Sequence, residues 1–244
     1  IAAHGDQGHA IRQAGQLAQR LQLLVGALGQ LVQQRPHAAA DQGDRRARRD
    51  DLPEGPMPIE VFGAHNLSNL AGAKWICQCM GVDEAEFYEA IASFKGASKR
   101  LEKIAESANK VAYKDFAHSP SKVSATTKAV KAQYPDRKVV ACLELHTYSS
   151  LNAEFLKEYQ GALDAADVAV VFYSPDAVKI KRLEEVTYDQ IAQSFQREDL
   201  IIYTNPAEFK DFLFSQNLEN SALLLMSSGN YGGLNFDEVK GLIK

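Results

Sequence analysis

The stretch VAYKDFAHSPSKVSATTKAV, residues 111–130, decides the fold of this chain. It opens with a short apolar run that is typical of a β-strand. Ser119 and Pro120 then suit the N-cap and the first turn of a helix, and helical spacing continues to residue 134. A strand that leads directly into a helix is the first half of a β-α-β unit, so this stretch predicts a parallel sheet covered by helices.

The chain beyond residue 94 repeats this alternation. The later strand-like runs are KVVACLEL (138–145), DVAVVFY (167–173), DLIIYT (199–204) and SALLLMSS (221–228). Helix-like segments lie between them, including one helix expected over residues 151–166 and another around residues 183–194. Because the runs are uniformly apolar, we expect strands that are buried on both faces. Residues 95–244 are therefore predicted to form a doubly wound, mostly parallel, Rossmann-like α/β domain of about five or six strands. A short helical segment is predicted before it, with Asp83 as the N-cap of its second helix.

The composition changes abruptly near residue 57. Residues 1–57 contain seven Arg, no Lys and no aromatic residue, whereas residues 58–244 contain 16 Lys and four Arg. Leu and Val at helical spacing predict an amphipathic helix over residues 10–34, and a polar segment rich in Arg, Asp, Pro and Gly follows as a linker. Two interpretations of this leader stay open. It is a helix for oligomerisation or for a partner, or it is foreign to the domain, as after a fusion or a misjoined reading frame.

Composition also limits the possible classes of function. Asp and Glu outnumber Lys and Arg by 31 to 27, and this argues against a nucleic-acid partner, which needs a basic face. Three cysteines do not make a disulfide framework. No apolar run approaches the roughly 20 residues that cross a bilayer, and no signal peptide is recognisable. The sequence predicts a cytoplasmic protein with small-molecule ligands and no membrane partner.

Titratable residues follow the strand-like runs at the point where each run ends. Asp115 and His118 come after the first run, and His146 comes after the second. Ligands of open parallel sheets lie beyond the carboxyl ends of the strands, so we expect these side chains to share one edge. The chain contains neither a G-x-x-x-x-G-K-[ST] phosphate loop nor G-x-G-x-x-G. The residues alone predict a domain that helps to bind an anionic or nucleotide ligand without holding a complete active site.

Five motifs in a fixed order are more specific than any one of them. They are GAHNLSNLAGA (63–73), FKGASKRLE (94–102), KDFAHSPSKV (114–123), LELHTYSSLNAEFLKEY (143–159) and LLMSSGNYGGL (224–234). In this order they resemble the C-terminal part of a Mur ligase, an ATP-dependent amide-bond ligase of bacterial peptidoglycan assembly. The resemblance implies that residues 58–94 are the end of the family's ATPase domain and that residues 95–244 are its amino-substrate-binding domain.

Within this family the chain most resembles the recycling ligase, which joins the murein tripeptide L-Ala-γ-D-Glu-meso-diaminopimelate to UDP-N-acetylmuramate. The alternative is the ligase that adds L-alanine to UDP-N-acetylmuramate. That ligase typically carries arginines after the His of the second strand, where this chain has HTYSS, residues 146–150. A non-catalytic module that binds a ligand or a protein is a further alternative.

The resemblance also implies roles for single residues. His65 and Asn66 match a His-Asn pair near the nucleotide, and the Asn amide can serve an adenine edge. Arg100 matches an Arg suited to the ribose-phosphate part, and Asp115 matches an acid placed on the ribose hydroxyls. His118 matches the first His of a His-His-Pro motif whose second His is Ser119 here. The phosphate and amino-substrate region also includes three residues after the second strand, which are His146, Ser149 and Ser150.

The reaction implied by the resemblance passes through an acyl phosphate. ATP with magnesium activates the carboxylate of UDP-N-acetylmuramate, and the incoming amine then displaces phosphate. The sequence lacks the phosphate loop, and the resemblance implies that most magnesium and nucleotide ligands belong to a domain absent from it. We therefore expect no complete set of catalytic residues, no metal ligands and no ligase activity from this chain alone.

Overall fold

A computed structural model describes residues 59–184 and 186–244 of the chain. The leader predicted over residues 1–57, with its helix and linker, lies outside the described residues. The chain divides into two compact units, one ending at Phe94 and one spanning Lys95–Lys244.

The described part of the first unit consists of two helices, α1 (Ala64–Cys79) and α2 (Glu84–Ala92). Asp83 begins α2 with a capping box, in which its carboxylate accepts the Glu86 N–H and the Glu86 side chain accepts the Asp83 N–H. Lys74 of α1 lies 2.7 Å from the Glu84 carboxylate. The helical character and the Asp83 cap that the sequence predicts for this segment are confirmed.

A single six-stranded sheet forms the centre of the second unit. Its strands are β1 (Glu102–Glu106), β2 (Lys110–Asp115), β3 (Lys138–Leu145), β4 (Val168–Tyr173), β5 (Ile201–Tyr203) and β6 (Ser221–Met226). The strand order is β1-β2-β6-β3-β4-β5, with β1 antiparallel to β2 and every other neighbouring pair parallel. The last strand in sequence therefore lies between β2 and β3, which the chain connects directly.

Helices cover both faces of the sheet. The longer ones are α3 (Pro120–Gln133), α6 (Tyr188–Phe195), α7 (Pro206–Ser215) and α8 (Phe236–Ile243). Two short ones, α4 (Ala153–Leu156) and α5 (Pro175–Ile180), complete the set, and a 3-10 turn, Lys157–Tyr159, follows α4. The predicted doubly wound, mostly parallel α/β fold is confirmed.

The core follows from the alternation of side chains along the buried strands. One apolar cluster joins the sheet to α7 and α8 and includes Phe209 and Tyr231. The strands contribute Ala112, Val140, Cys142, Val170, Phe172, Leu223 and Leu225 to it. On the opposite face, Thr127 of α3 donates its hydroxyl to the Val123 carbonyl. Because helices cover both faces of these strands, the strand sequences are uninterrupted apolar runs.

Three local expectations were wrong. Residues 151–166 do not form one helix, because α4 and its 3-10 turn end at Tyr159 and the chain turns at Gly161 with a φ of +70°. The helix α5 was missed, although Ser174 and Pro175, which directly follow the β4 run, are a typical N-cap and first helical residue. The edge strand β1 was missed because its sequence EKIAE is mostly polar.

None of the helices within residues 59–184 and 186–244 is both long enough and apolar enough to cross a membrane.

Candidate functional site

The carboxyl ends of β2, β6 and β3 meet at one edge of the sheet, and the predicted polar residues of the second unit lie along it. The backbone N–H of Ser227, after β6, donates to the carbonyl of Asp115 at the end of β2 across 2.9 Å. In the parallel register, Met226 lies beside both Asp115 and Leu143. The loops after these three strands are therefore held side by side, as the sequence predicts.

Asp115 is buried, with only 7% of the residue exposed. One carboxylate oxygen accepts the Leu101 N–H at 2.7 Å and the other accepts the Ala117 N–H at 2.6 Å. Leu101 and Lys99 both have positive φ, at +45° and +54°, which is an unfavourable conformation for residues with side chains. Asp115 thus fixes the link that precedes β1 against the loop that follows β2.

Arg100, Phe116 and His118 form a group on the outside of this link. The Arg100 guanidinium lies 5.3 Å from the centre of the Phe116 ring, and the His118 ring meets the same ring edge-on at 5.1 Å. His118 Nδ1 lies 2.8 Å from the Phe116 carbonyl, which can only accept, so Nδ1 carries the proton. This arrangement leaves the exposed Arg100 guanidinium as the donor available to an anion, while His118 Nε2 presents a lone pair that can accept a hydrogen bond.

Tyr159 supports the loop that carries His118. Its hydroxyl donates to the His118 carbonyl, and its ring stacks on Phe195 at 5.2 Å. Burial raises the pKa of Tyr159, so the hydroxyl keeps its proton at neutral pH. The His118 loop therefore rests on a fully packed aromatic side chain.

His146 faces a buried carboxylate at the end of β3. Its Nδ1 lies 3.7 Å from Glu144 Oε1, and Glu144 is 3% exposed. The other oxygen, Oε2, accepts the Ser227 hydroxyl and the Tyr231 N–H, the latter at 2.9 Å. Glu144 therefore joins the loop after β3 to the Gly-rich turn after β6, residues 227–233.

The Gly-rich turn packs closely on this pair. A Cβ at Gly229 would lie 2.8 Å from Glu144 Oε2 and 3.0 Å from the His146 ring, so only glycine fits there. The Tyr231 hydroxyl lies 2.8 Å and 2.9 Å from the carbonyls of Cys142 and Met226, which share its one proton. The turn is thus anchored on buried groups.

The two serines predicted to receive the amino substrate differ in accessibility. Ser150 is 1% exposed, and its hydroxyl lies 2.9 Å from both the N–H and the hydroxyl of Thr147. Ser149 is exposed, and its hydroxyl lies 3.2 Å from that of Thr147. Ser150 shapes the loop, and Ser149 presents its hydroxyl to solvent.

A cleft of about 600 Å³ opens beside the start of α3 and is lined by residues of the β2–α3 and β3–β4 connections. Ser119 occupies the N-cap position of α3, as the sequence predicts, but its side chain makes no capping hydrogen bond. Ser121, Ser124 and Glu158 also line the cleft.

His65 and Asn66 belong to α1 of the first unit. The Asn66 amide donates to the Phe62 carbonyl at 2.9 Å, so it ties the start of the helix to the preceding chain. Their predicted contact with a nucleotide stays a prediction. Within the part of the chain that the structure describes, no three His, Cys, Asp or Glu side chains converge to hold a metal ion.

Sequence reasoning missed Glu144, Ser227 and Tyr231. Glu144 is the only charged residue between the ends of an otherwise apolar β3 run, and an acid in a buried strand is a signal of a partner. Its partners are 83 and 87 residues away, so no local pattern identifies them.

Comparisons with known proteins identify the family and agree with the fold. Residues 99–229 match the family model described as the glutamate ligase domain of Mur ligases. The UDP-N-acetylmuramate–L-alanine ligase of Gloeothece citriformis is 33% identical over 184 residues, which cover 72% of this chain and 36% of that protein.

Two solved structures share the fold. The UDP-N-acetylmuramate–alanine ligase of Thermotoga maritima matches with a TM-score of 0.56 at 18% identity, and a murein peptide ligase of Psychrobacter arcticus matches with 0.54 at 18%. Each match covers 76% of this chain and 38% of the other. The chain thus spans little more than a third of the length of these relatives.

Proposed function

The chain belongs to the Mur ligase family, and we propose that residues 95–244 form the amino-substrate-binding domain of a peptidoglycan-recycling ligase. This ligase joins the tripeptide L-Ala-γ-D-Glu-meso-diaminopimelate to UDP-N-acetylmuramate. Residues 58–94 are the end of its ATPase domain in this proposal. Because the chain spans only part of its relatives, the complete reaction belongs to a longer protein.

The observation that carries the proposal is the loop after β3. Residues 146–150, HTYSS, contain no Arg, where the resemblance leads us to expect arginines in an alanine-adding ligase. The loop offers the His146 ring, 39% exposed, and the Ser149 hydroxyl to the open edge. A neutral imidazole and a hydroxyl leave more room for a peptide than two extended guanidinium groups would.

His146 and Ser149 hold the amine end of the incoming peptide in this proposal. An imidazole nitrogen with a lone pair accepts a hydrogen bond from the amine and a hydroxyl can accept a second, which aims the nitrogen at its target. Arg100 faces the phosphate-bearing ligand in this proposal, since a guanidinium stays charged and pairs well with phosphate oxygens, and His118 lies beside it with Nε2 as an acceptor.

The residues present fit the outer part of a nucleotide. Arg100 is exposed and can donate to phosphate oxygens, and His118 Nε2 can accept a hydrogen bond from a hydroxyl of the ligand. Asp115 fits less directly, because both carboxylate oxygens already accept backbone N–H groups, although each has a further lone pair. ATP with magnesium supplies the phosphoryl group that activates the carboxylate to be joined.

A second candidate is the ligase that adds L-alanine to UDP-N-acetylmuramate. Its support is the curated relative from Gloeothece citriformis, which is named for that reaction and is 33% identical to the chain. The two candidates share the fold and the edge of the sheet, and they differ in the size of the amino substrate.

Calorimetry on the full chain tests the proposal. We expect weak binding of the tripeptide and none of L-alanine at the same concentrations. Equal binding of both ligands would favour the alanine-adding ligase, and binding of neither would reject an amino-substrate site in this chain. A titration with ATP and magnesium in the same buffer measures whether this chain, with Arg100 and His118, binds a nucleotide.

A further inference from the structure

We propose that Glu144 is a positioning residue that holds His146 in its Nδ1–H form, so that the Nε2 lone pair faces the incoming amine. This inference rests on the proposed function, because it assigns a task to one residue of the same site. Its own basis is the buried contact between Glu144, His146 and the Gly-rich turn.

The burial of Glu144 is the first step of the argument. An ionised carboxylate that is 3% exposed is costly unless it is paired and accepts hydrogen bonds. Oε2 accepts two, from the Ser227 hydroxyl and from the Tyr231 N–H. These bonds fix the plane of the carboxylate and direct Oε1 towards His146, whose Nδ1 lies 3.7 Å away.

This contact is electrostatic, because 3.7 Å is longer than a hydrogen bond, and it favours one tautomer of His146. A carboxylate oxygen only accepts, so the proton of the neutral ring is favoured on Nδ1, next to Oε1. Nε2 lies on the far side of the ring from Nδ1 and is left with its lone pair. The side chain is 39% exposed, so Nε2 can reach a ligand at the edge of the sheet.

The Gly-rich turn keeps the pair in place. Gly229 donates its N–H to the Ser227 hydroxyl at 2.6 Å, and that hydroxyl donates in turn to Glu144. The backbone of Gly229 also packs against both groups so tightly that a Cβ would displace one of them. The buried carboxylate therefore cannot rotate away without breaking its bonds to the turn.

Nitrogen-15 NMR of the histidine rings of the full chain tests the inference without any ligand. In the wild type, His146 is expected to show an unprotonated Nε2 and a protonated Nδ1; the signal is assigned by its loss in His146→Gln. In Glu144→Gln, the amide oxygen replaces the acceptor for Ser227 and Tyr231, and its NH₂ group faces His146. Nδ1 must then accept, and the proton is expected to move to Nε2.

His118 is the internal control, because its Nδ1–H bond to the Phe116 carbonyl does not involve Glu144. Its tautomer is expected to be the same in every variant. Circular dichroism confirms that Glu144→Gln is folded. Should it not fold, Gly229→Ala serves instead, since its Cβ displaces the carboxylate or the ring and is expected to yield a mixture of tautomers.

A protonated Nε2 in the wild type, or an unchanged His146 tautomer in a folded variant, would overturn the role of Glu144. A tautomer change in a folded variant supports it. Addition of the tripeptide separates this inference from the proposed function. If the tautomer behaves as expected but the tripeptide leaves the His146 nitrogens unchanged, the positioning stands and the tripeptide is rejected as the ligand.

Discussion

The carboxylate of Asp115 accepts the backbone N–H of Leu101 across 2.7 Å, and this bond fixes a left-handed link to the end of a central strand. Arg100, adjacent to Leu101, is thereby placed over Phe116. The position of the exposed Arg100 guanidinium, on the proposed nucleotide side of the sheet edge, therefore depends on the buried Asp115.

Asp115→Asn is expected to destabilise the protein by about 1–3 kcal/mol, because the new NH₂ group faces one backbone N–H and leaves it without an acceptor in a buried site. Urea unfolding followed by circular dichroism measures the loss. Asp211→Asn, at an exposed position of α7, is the matched control and should change stability by less than about 0.5 kcal/mol. Equal effects of the two substitutions would contradict a supporting role for Asp115.

Gly232→Ala is expected to cost about 2–4 kcal/mol, because two effects add. Its φ is +69°, and a Cβ would lie 2.6 Å from Pro206 Cγ. Gly241→Ala is the control, since α8 is helical there and a Cβ meets nothing within 4 Å. This control is expected to stabilise the protein by up to about 1 kcal/mol. Thermal unfolding of both variants should therefore show shifts of opposite sign.

Asp167 is expected to make stability dependent on pH. Burial opposes its ionisation, but hydrogen bonds from Lys131 and the Val139 N–H, at 2.8 Å and 2.7 Å, outweigh burial and lower its pKa. Because the folded pKa lies below the ordinary 3.8, the contribution is complete above that value and is lost as the pH falls through the folded pKa.

Asp167→Asn should therefore cost about 0.5–1.5 kcal/mol at pH 7, with solvent screening keeping the ion-pair part small. Urea titrations at several pH values between about 3 and 7 measure the difference from the wild type. The difference is expected to shrink towards the acid end. A cost that is the same at every pH would show that the charge of Asp167 is not involved.

His146→Ala is expected to weaken tripeptide binding by tenfold or more, which corresponds to about 1.4 kcal/mol. The imidazole is the exposed group of the loop that faces the amine in the proposed site. His65→Ala, in the other unit, is the matched control and should bind the tripeptide as the wild type does. Calorimetry under the same conditions compares the three proteins, and equal affinities would remove His146 from the site.

The buried strands were predictable because both faces are covered, which makes runs such as KVVACLEL uninterrupted and easy to recognise. The edge strand β1 was not, because one antiparallel neighbour and exposure to water leave it without an apolar signature. The turn at Gly161 ended the helix predicted over residues 151–166, and helical spacing alone does not register a glycine with positive φ.

The edge of the sheet that carries the site was predictable from the sequence, but the hydrogen bonds within the site were not. Asp115, His118 and His146 follow strand ends, and parallel strands bring such positions together. The hydrogen bonds that fix them join Asp115 to Leu101 and Glu144 to Ser227 and Tyr231. Those partners are specified by the tertiary fold, and a single sequence contains no periodicity that reports them.

The position of β6 has a consequence for biosynthesis. Ser221 pairs with both Lys110 and Lys138, so the strand that completes the middle of the sheet is translated after all the others. A nascent chain that has not yet reached β6 exposes the unpaired inner edges of β2 and β3, and such edges invite pairing between chains. The second unit is therefore expected to complete its fold only after β6 has left the ribosome.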